Sequence, residues 1–585
     1  MNKGYFESYS SLTLYVVIIM FFVLAMRIYQ LQILKGDDYR EAANSNKIRV
    51  ITLPATRGII YDRNNVPLVK NKPYYYASLM PETKNIDTEG LANLLGIDEK
   101  KLIAKIKKEE AHRFKSIVLK EGLTFKDVAV IEARRSDFPG LMVEPNISRQ
   151  YVFNNIGSHV IGYLGKMTLK QMQSADYDNI TPETLVGQWG AEEFFDKQLR
   201  GTTGEKIIEV DALGRQLQLL GQTKPKMGDD ITLSIDIRLQ EIAERAFNGK
   251  SGALLAVDTR SAEVLALVSL PAFDPNDFVF GIDTDKWTAL YKDKRHPLIN
   301  RALQSSYPPG SVFKPLVAIA ALEEGIIDAH SGTHCSGVMH YGNYSFGCWK
   351  SHGRVGFHRA LVESCDVFFY EIGRILGVDR MDKYARLFGL GKSTGLGLRR
   401  GVDEKDGTVP STKWKLKTLK KPWFLGETFN ASIGQGYISV TPAQVALMTV
   451  MIANEGVIRP LTLRKNGNED DPMKKLDIRP ETFDAVKKAM YGVVNEEGGT
   501  GSAARSSIVR ISGKTGTAQV IAGRVKSEHQ KEKFRDHAWF IAYAPAENPE
   551  IAVTVFVEHG GHGGSTAGPI AKEVIEAYIK GKAGK

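Results

Sequence analysis

Cysteine is scarce in this chain, which has only 3 cysteines among 585 residues, all between positions 335 and 365. So few thiols exclude a fold built on several disulfides and allow one at most. The chain also has no internal repeat and no recognisable nucleic-acid-binding module. Its net charge is +10, but lysine and arginine are interspersed with aspartate and glutamate over most of the length. Charge therefore gives no reason to assign a nucleic-acid partner.

Long apolar runs are also rare, with one exception near the N-terminus. Residues 11–26 contain almost no polar group, and apolar character resumes after Arg27. About 20 helical residues span the hydrocarbon core of a membrane, and an arginine at the end can extend its charge to the headgroups. No small-residue cleavage site follows, which favours an uncleaved signal anchor over a removed signal peptide. We expect a cytoplasmic tail at residues 1–11 and a transmembrane segment at residues 12–34.

The rest of the chain is too long for one hydrophobic core and predicts two or more domains. With 43% hydrophobic and 25% charged residues, it has the composition of a globular protein. The polar residues 223–230 form a predicted linker between a region at 35–228 and a region at 229–585. The first region has strand-like runs such as 48–53 and a helical pattern at 88–108, but no cluster that would supply a nucleophile.

The second region predicts strands at both ends with helices between them. Apolar runs at 252–258 and 263–269 flank a short polar turn, which is typical of a β-hairpin. Further patterns predict helices at 311–324, 364–376 and 570–579, and strands at 508–512, 538–543 and 551–558. This order predicts an α+β fold in which helices pack on an antiparallel sheet.

One part of this region is richer in positive charge than the rest. It runs from residue 399 to residue 421 and contains Arg399, Arg400, Lys413, Lys415, Lys417, Lys420 and Lys421. A solvated loop explains it, and so does contact with an anionic lipid or a cell-wall polymer.

The most informative motif places Ser311 and Lys314 three residues apart at the start of a helical pattern. Residues i and i+3 share a helix face, so the lysine amine can reach the serine hydroxyl. Burial lowers the pKa of a lysine, and a neutral amine can take the proton of a serine and make it a nucleophile. Taken alone, the pair is also explained by a helix-capping serine and a surface lysine.

Two further motifs strengthen the catalytic interpretation. Lys514-Thr515-Gly516-Thr517 offers a fixed positive charge, two hydroxyls for a carboxylate, and a glycine that leaves room for a substrate backbone. Ser364-Cys365-Asp366 lies between the other two motifs and precedes an apolar run. Ser-x-x-Lys, Ser-Asp-Asn and Lys-Thr-Gly are the motif set of penicillin-binding proteins and class A β-lactamases. The order and wide spacing found here fit that set.

Segments along nearly the whole chain resemble a class B penicillin-binding protein. They are residues 57–64, 187–192, 199–201, 300–302, 433–437 and 441–444. Residues 537–540 and 562–565 are most similar to the cell-elongation type, penicillin-binding protein 2, and the division type is the closest rival. Two residues depart from the family pattern, Asn65 in place of a glycine and Asp366 in place of the asparagine of many members. An ionised aspartate accepts hydrogen bonds but cannot donate them as an amide does.

The resemblance implies a peptidoglycan D,D-transpeptidase that acts in cell elongation and rod-shape maintenance. It implies a pedestal of the dimerisation type, with mixed α/β structure, at 35–228 and a penicillin-recognising transpeptidase domain at 229–585. The protein would cross the bacterial inner membrane once and hold its catalytic domain in the periplasm. Implied partners are stem peptides ending in D-Ala-D-Ala, β-lactams, and the membrane-embedded glycosyltransferase and other proteins of the elongation complex. No cofactor is implied for catalysis.

The resemblance also implies a role for each motif residue. Ser311 is the nucleophile and Lys314 its base, while Ser364 relays a proton to the leaving amine and Lys514 holds this network. The site residues carried over are Ser311, Lys314, Ser364, Asp366 and Lys514 for catalysis, and Thr515, Gly516 and Thr517 for substrate binding. The backbone N–H groups of Ser311 and Thr517 would form an oxyanion hole.

Other functions are compatible with the same motifs. A β-lactamase or a D,D-carboxypeptidase transfers the acyl group to water, but a β-lactamase needs neither an anchor nor a long first region. A non-enzymatic β-lactam sensor or an assembly scaffold would keep the fold without the reaction. Intact Ser311, Lys314, Ser364 and Lys514 argue against an inactive scaffold.

The cysteines suggest a metal site. Three thiolates and an imidazole, from Cys335, Cys348, His352 and Cys365, are a complete tetrahedral set for structural zinc. His334, His340 and His358 are competing ligands, and one disulfide or unlinked thiols are the alternatives. Because Cys365 directly follows Ser364, zinc here would tie this loop to the helix that positions Ser364.

Overall fold

The structure is a computed structural model that describes residues 3–35, 37, 48–80, 86–109, 116–177, 180, 184–210, 216–396, 404–467, 473–520 and 534–583. The chain divides into two compact units. The first contains residues 1–57, 74–146 and 200–228, and the second contains residues 58–73, 147–199 and 229–585. Arg399 and Arg400 of the predicted basic stretch lie outside the described residues.

The first helix, Lys3–Tyr29, continues as a π-helical turn at Gln30–Leu34. The part Thr13–Leu34 comprises 22 residues with a mean hydropathy of 2.1, so it is long and apolar enough to cross a membrane. Its side chains are not buried against the protein. Exposed apolar side chains over this length suit a helix surrounded by lipid.

In the part of the first unit that the structure describes, the remaining residues form two antiparallel strand groups with three α-helices. The first group pairs Ile48–Leu53, Gly204–Val210 and Gln216–Thr223, and the second pairs residues 75–79 with Ile117–Leu123. The helices are Thr88–Leu95, Glu99–Glu109 and Phe125–Ala133. The single helix predicted at 88–108 is therefore wrong, because Gly96 ends the first helix with a left-handed φ of 61°.

Part of the second unit precedes the catalytic motifs and includes residues 147–199. Its regular elements include Ile60–Tyr61, Ser158–Ile161, Leu164–Lys166, Leu169–Met172, Ala175–Tyr177, Leu185–Gly187, Gly190–Phe194 and Asp196–Arg200, and the strands Pro67–Leu79 and Leu141–Tyr151 extend into it. Arg149 and Glu192 form a buried ion pair there, with Nε and Oε1 2.9 Å apart. The guanidinium also donates to Asn71 at 2.9 Å, so its charge is both paired and hydrogen-bonded.

A five-stranded antiparallel sheet organises the catalytic part of the second unit. Its strands, in spatial order, are Val264–Leu270, Gly252–Asp258, Ile551–Val557, His537–Ala544 and Ser512–Ala518. The first two form the predicted hairpin, in which Gly252 pairs with Leu270. The strand that carries Lys514 is last in this order, so one of its edges has no partner strand among the described residues.

Helices cover both faces of this sheet because successive side chains of a strand point in opposite directions. Leu254 belongs to the core shared with the helices Ile237–Ala246 and Gly563–Ala583. Its neighbour Leu255 belongs to the larger core around the helix Lys314–Glu323. Strands buried on both faces read as continuous apolar runs, which is the pattern that the sequence shows. The predicted α+β fold is confirmed.

The remaining helices of the catalytic part surround this core. They are Thr284–Lys292, Arg301–Gln304, Phe357–Val362, Asp366–Leu376, Val378–Leu387, Thr412–Leu419, Leu425–Ser432, Pro442–Ala453 and Pro480–Asn495. The strand predicted at 508–512 is wrong in its start, since the strand begins only at Ser512 and runs through the lysine motif to Ala518. The lysine motif is therefore part of the sheet.

Candidate active site

Ser311 lies in a single 3₁₀ turn, Gly310–Phe313, that leads into the helix Lys314–Glu323. Gly310 has a left-handed φ of 55°, and a Cβ atom there would lie 2.6 Å from the carbonyl oxygen of Thr517. On the strand that faces this turn, a Cβ atom at Gly516 would lie 2.9 Å from the side chain of Val312. Two glycines thus let the turn that contains Ser311, Gly310–Phe313, contact the strand of Lys514 directly.

Lys314 is fully buried in the first turn of its helix. Its Nζ atom donates to the carbonyl oxygen of Ser364 at 3.0 Å, to Ser364 Oγ at 3.2 Å and to Asp366 Oδ1 at 2.7 Å. An ammonium group has three protons, and these contacts use all of them. Lys314 can therefore accept a proton from Ser311 only after it has given one up.

Ser364 is the point where the two motif lysines meet. Its backbone is left-handed, with φ 56°, one residue before the N-cap of the helix Asp366–Leu376. Its Oγ atom accepts from Lys314 at 3.2 Å and from Lys514 at 2.9 Å. Because both lone pairs of the hydroxyl are occupied, its own proton is free to be donated to a third group.

Burial and mutual charge control the protonation of this cluster. Burial lowers the pKa of Lys514 well below its ordinary value, and the positive charge of Lys314 lowers it further. Burial raises the pKa of Asp366, while the positive charge of Lys314 opposes this shift. Burial therefore favours the neutral forms of Lys514 and Asp366, which are both charged in water.

The strand Ser512–Ala518 presents the predicted substrate-binding residues. Lys514 and Gly516 pair with Ile541 and Trp539 of the neighbouring strand, which leaves the opposite edge for a substrate backbone. Thr515 is buried and its Oγ1 atom lies 2.8 Å from Oγ1 of Thr500. Thr517 is partly exposed.

Two residues at the site were not assigned a role by the sequence. Gln435 donates from Nε2 to the carbonyl oxygen of Thr517 at 3.1 Å. Thr500 orients Thr515 through the contact between their hydroxyls. The signal for Gln435 was present, because it belongs to the family-like segment 433–437, whereas no sequence pattern marks Thr500.

The structure brings the four predicted metal ligands together. The ligand atoms of Cys335, Cys348, His352 and Cys365 all lie within 4.8 Å of one another. His352 Nδ1 is 3.5 Å from the sulfur of Cys335 and 3.6 Å from that of Cys348. Ligands about 2.0–2.3 Å from a tetrahedral zinc ion are separated by about 3.5–3.8 Å, so this donor set fits zinc.

The thiols also show how the cluster connects to the catalytic residues. All three cysteines are free of disulfides. A hydrogen bond from Cys365, together with backbone N–H donors, lowers the pKa of Cys348 to about 4. One of those donors is the N–H of Asp366, 3.2 Å from the Cys348 sulfur. The sulfur of Cys348 therefore holds the first residue of the helix that follows Ser364.

Two family models match the sequence. The model described as penicillin binding protein transpeptidase domain matches residues 252–576, and the model described as penicillin-binding protein dimerisation domain matches residues 52–233.

Curated relatives extend over nearly the whole chain. The peptidoglycan D,D-transpeptidase MrdA of Acinetobacter baumannii is 37% identical over 594 residues, covering 96% of this chain and 86% of the relative. MrdA of Escherichia coli K12 is 35% identical and covers 96% of this chain and 92% of the relative.

Solved structures agree with the sequence relatives. The complex between penicillin-binding protein 2 and MreC from Helicobacter pylori matches with a TM-score of 0.81 and 31% identity, over 91% of this chain and 99% of that one. Penicillin-binding protein 2 of Pseudomonas aeruginosa matches with a TM-score of 0.69 and 33% identity, over 91% of this chain and 96% of that one. A peptidoglycan synthase complex that coordinates polymerization and crosslinking matches with a TM-score of 0.72 and 29% identity, over 99% of both chains.

Proposed function

The chain belongs to the penicillin-binding protein transpeptidase family, and on that premise we propose that Ser311 carries out its peptidoglycan cross-linking as the nucleophile of a D,D-transpeptidase. The enzyme is a serine-type D-Ala-D-Ala transpeptidase of the elongation type and a target of penicillins. The observation that carries the assignment of residues is the hydrogen-bond chain that joins Lys314, Ser364 and Lys514 beside the nucleophile turn.

In the acylation step, Ser311 Oγ attacks the carbonyl carbon of the penultimate D-alanine and its proton passes to the neutral amine of Lys314. The N–H groups of Ser311 and Thr517 donate to the oxyanion, and each such donor typically stabilises the transition state by about 3 kcal/mol. When the C–N bond breaks, the leaving amine takes the proton of Ser364. Lys314 returns a proton to Ser364, and Ser311 is left as an ester.

In the second step, the amine of a neighbouring stem peptide attacks the ester carbon. It loses its proton to Lys314 through Ser364, a new amide bond forms, and the C–O bond to Ser311 breaks. Lys314 then reprotonates Ser311 Oγ. The threonines of the lysine motif bind the carboxylate of the donor peptide.

Asp366 is proposed to set the protonation state of Lys314. Its carboxylate accepts a hydrogen bond from Lys314 at 2.7 Å, which places it where it can receive that proton, and burial raises its pKa. Proton transfer within this pair produces the neutral amine that the attack of Ser311 needs. An asparagine accepts the same hydrogen bond but cannot take the proton, so the departure from the family pattern gives this chain an internal proton acceptor.

We also propose that Cys335, Cys348, His352 and Cys365 hold a structural zinc ion. Bound zinc would keep the thiolates deprotonated and cross-link the strand Gly332–Cys335 to the loop before the helix Asp366–Leu376. The spacing of the ligand atoms and the lowered pKa of Cys348 support this assignment. The role is structural, since catalysis uses only the side chains described above.

The N-terminal helix supports a single-pass anchor in the inner membrane, with the catalytic unit on the periplasmic side where the peptidoglycan lies. The relative that is solved with MreC supports a partner of that kind for this chain. A membrane-embedded glycosyltransferase is a second proposed partner, because a matching structure is a synthase complex that combines polymerization with crosslinking.

A labelled penicillin tests the assignment of the nucleophile. Purified full-length chain is expected to gain the mass of the drug on the peptide that contains Ser311, and Ser311→Ala to gain none. Ser507→Ala, at an exposed serine of the same unit, is the control. Rapid release of the label would indicate a β-lactamase, and stable labelling without cross-linking of supplied peptidoglycan strands would indicate a sensor.

A further inference from the structure

Residues 407–426 contain five lysines and no acidic residue. Four of the lysines, Lys413, Lys417, Lys420 and Lys421, are exposed, and none of them forms an ion pair within the described part of the chain. Four aromatic residues lie among them or next to them: Trp414, Trp423, Phe424 and Tyr437. We call these eight residues the basic aromatic surface. A surface with so much unpaired positive charge favours an anionic ligand.

The fifth lysine, Lys415, is buried and holds the aromatic rings in place. Its ammonium group forms an ion pair with Glu427 and lies 4.8 Å from the ring centroid of Phe424 and 5.7 Å from those of Trp423 and Tyr437. A desolvated cation is attracted to the faces of aromatic rings. Phe424 is nevertheless 60% exposed and Tyr437 41%, so the rings are ordered yet open to a ligand.

This surface is directly connected to the nucleophile. Tyr437 is two residues after Gln435, whose side chain donates to the carbonyl oxygen of Thr517 at 3.1 Å. A Cβ at Gly434 would lie 2.2 Å from the carbonyl oxygen of Gly310, the residue before Ser311. The segment 434–437 therefore links the basic aromatic surface to both sides of the site, the nucleophile turn and the substrate strand.

We propose that the basic aromatic surface binds the acidic stem peptide of the acceptor strand and delivers its amine to the acyl-enzyme, an inference that rests on the proposed function. Stem peptides carry several carboxylates, which complement the exposed lysines. The carboxylate of the donor peptide already has the hydroxyls of Thr515 and Thr517 as partners. The additional positive charge beside the same site is therefore available to the second peptide of the reaction.

The test uses the full-length chain and kinetics of transpeptidation with two soluble acceptors, one with free carboxylates and one with amidated carboxylates. In the triple variant Lys413→Gln, Lys417→Gln and Lys421→Gln, KM for the carboxylate acceptor is expected to rise about threefold to tenfold, as loss of several exposed ion pairs predicts. KM for the amidated acceptor is expected to change little. Higher salt should weaken the carboxylate preference of the wild type more than that of the variant.

A matched control replaces three exposed lysines elsewhere in the same unit, Lys474→Gln, Lys475→Gln and Lys580→Gln. Gly563, at the start of the helix Gly563–Ala583, lies beside Gly516 of the substrate strand. Lys580 is 17 residues further along this helix, which places it about 25 Å from the site at 1.5 Å per residue. The control removes the same net charge and is expected to leave both KM values unchanged. Tyr437→Leu is expected to raise KM for both acceptors. Tyr344→Leu, at an exposed tyrosine of the strand Tyr344–Gly347, is expected to raise it for neither.

Acylation of Ser311 by labelled penicillin is measured in parallel, because it needs no acceptor. An equal rise of KM in the control variant, or no preference for the carboxylate acceptor in the wild type, would overturn the acceptor subsite while acylation persists. Loss of binding to anionic phospholipid vesicles with unchanged KM would overturn it in favour of a lipid contact. Failure of the wild type to acylate would overturn the proposed function itself.

Discussion

Lys514 Nζ lies 2.9 Å from Ser364 Oγ, although the two residues are 150 positions apart in the sequence. Lys514 comes from a strand of the central sheet and Ser364 from the turn before a helix. The only route from Lys514 to Lys314 by hydrogen bonds within the described side chains passes through this hydroxyl. Ser364 therefore connects the three motifs, and its removal separates the two buried lysines.

Replacing Ser364 by alanine is expected to slow acylation without preventing penicillin binding. The variant loses the proton donor for the leaving group and leaves two buried ammonium or amine groups with one partner fewer. General acid–base catalysis typically contributes about 10²- to 10⁴-fold, so we expect kcat/KM for acylation to fall by about 10²-fold or more. Stopped-flow labelling at several penicillin concentrations measures the effect.

Ser507→Ala, at an exposed position, is the control for this experiment and should acylate at the wild-type rate. A Ser364→Ala enzyme that acylates as fast as the wild type would show that protons reach the leaving group without this hydroxyl.

Gly310→Ala is expected to abolish acylation, because the residue has both a left-handed φ of 55° and no space for a Cβ atom. The strain of a non-glycine residue in this region typically costs about 1–3 kcal/mol, and the contact with Thr517 forces the nucleophile turn away from the strand. Gly325→Ala separates the two effects, because Gly325 has a φ of 65° but nothing within 4 Å of its Cβ position. Equal acylation rates in the two variants would contradict the close contact between the turn of Ser311 and Thr517 of the strand.

Much of this site is predictable from the sequence because its motifs are short and local. Continuous apolar runs predict the hairpin of Gly252–Asp258 and Val264–Leu270 and the strands His537–Ala544 and Ile551–Val557. Strands that are buried on both faces require such runs. The spacing of Ser311 and Lys314 indicates their pairing in one motif, and the residue types of Cys335 and Cys348 indicate the cluster that the structure brings together. These features depend on residue type and position along the chain alone.

Other features depend on contacts between distant segments, and the sequence does not reveal them. The strand of Lys514 begins at Ser512 because it pairs with His537–Ala544, not because of its own apolar content. The spacing predicts that the Lys314 amine can reach Ser311, but it cannot reveal the hydrogen bonds of that amine to Ser364 and Asp366, about 50 positions away. The helix predicted at 364–376 begins at Asp366, because Ser364 takes a left-handed backbone that only the folded site stabilises.

Removal of metal is expected to destabilise the catalytic unit and to slow acylation. Elemental analysis should find one zinc ion per chain, since the described ligands form one cluster. A strong chelator should lower the Tm of the wild type, because structural zinc contributes to folding free energy directly. Acylation should slow as well, since Cys348 accepts the N–H of Asp366 at 3.2 Å.

The double variant Cys335→Ser and Cys348→Ser is the control for chelation, because it lacks two of the four ligands. Its Tm should already be low and should not respond to the chelator. A chelator effect of equal size in this variant, or a wild-type protein that contains no zinc and has freely alkylated thiols, would contradict the metal assignment.

The second unit is expected to lose stability in mild acid through His159. Burial lowers the pKa of this histidine from 6.5 to about 4, so the folded state binds its proton less readily than the unfolded state does. The unfolded state therefore gains protons first as the pH falls, and stability decreases between about pH 6.5 and pH 4, by up to about 3 kcal/mol. Above pH 6.5 the histidine is neutral in both states, so it does not make the free energy of unfolding depend on pH.

Chemical unfolding of the detergent-solubilised chain at several pH values measures this slope. His159→Phe removes the titrating group and suits a buried site where the histidine ring meets Phe273 edge to face at 5.2 Å. The variant should lose less stability than the wild type between neutral pH and about pH 4, whatever its stability at neutral pH. His330→Phe, at an exposed position, should follow the wild type. If His159→Phe and the wild type lose the same stability on acidification, another group causes the acid sensitivity and His159 is not its origin.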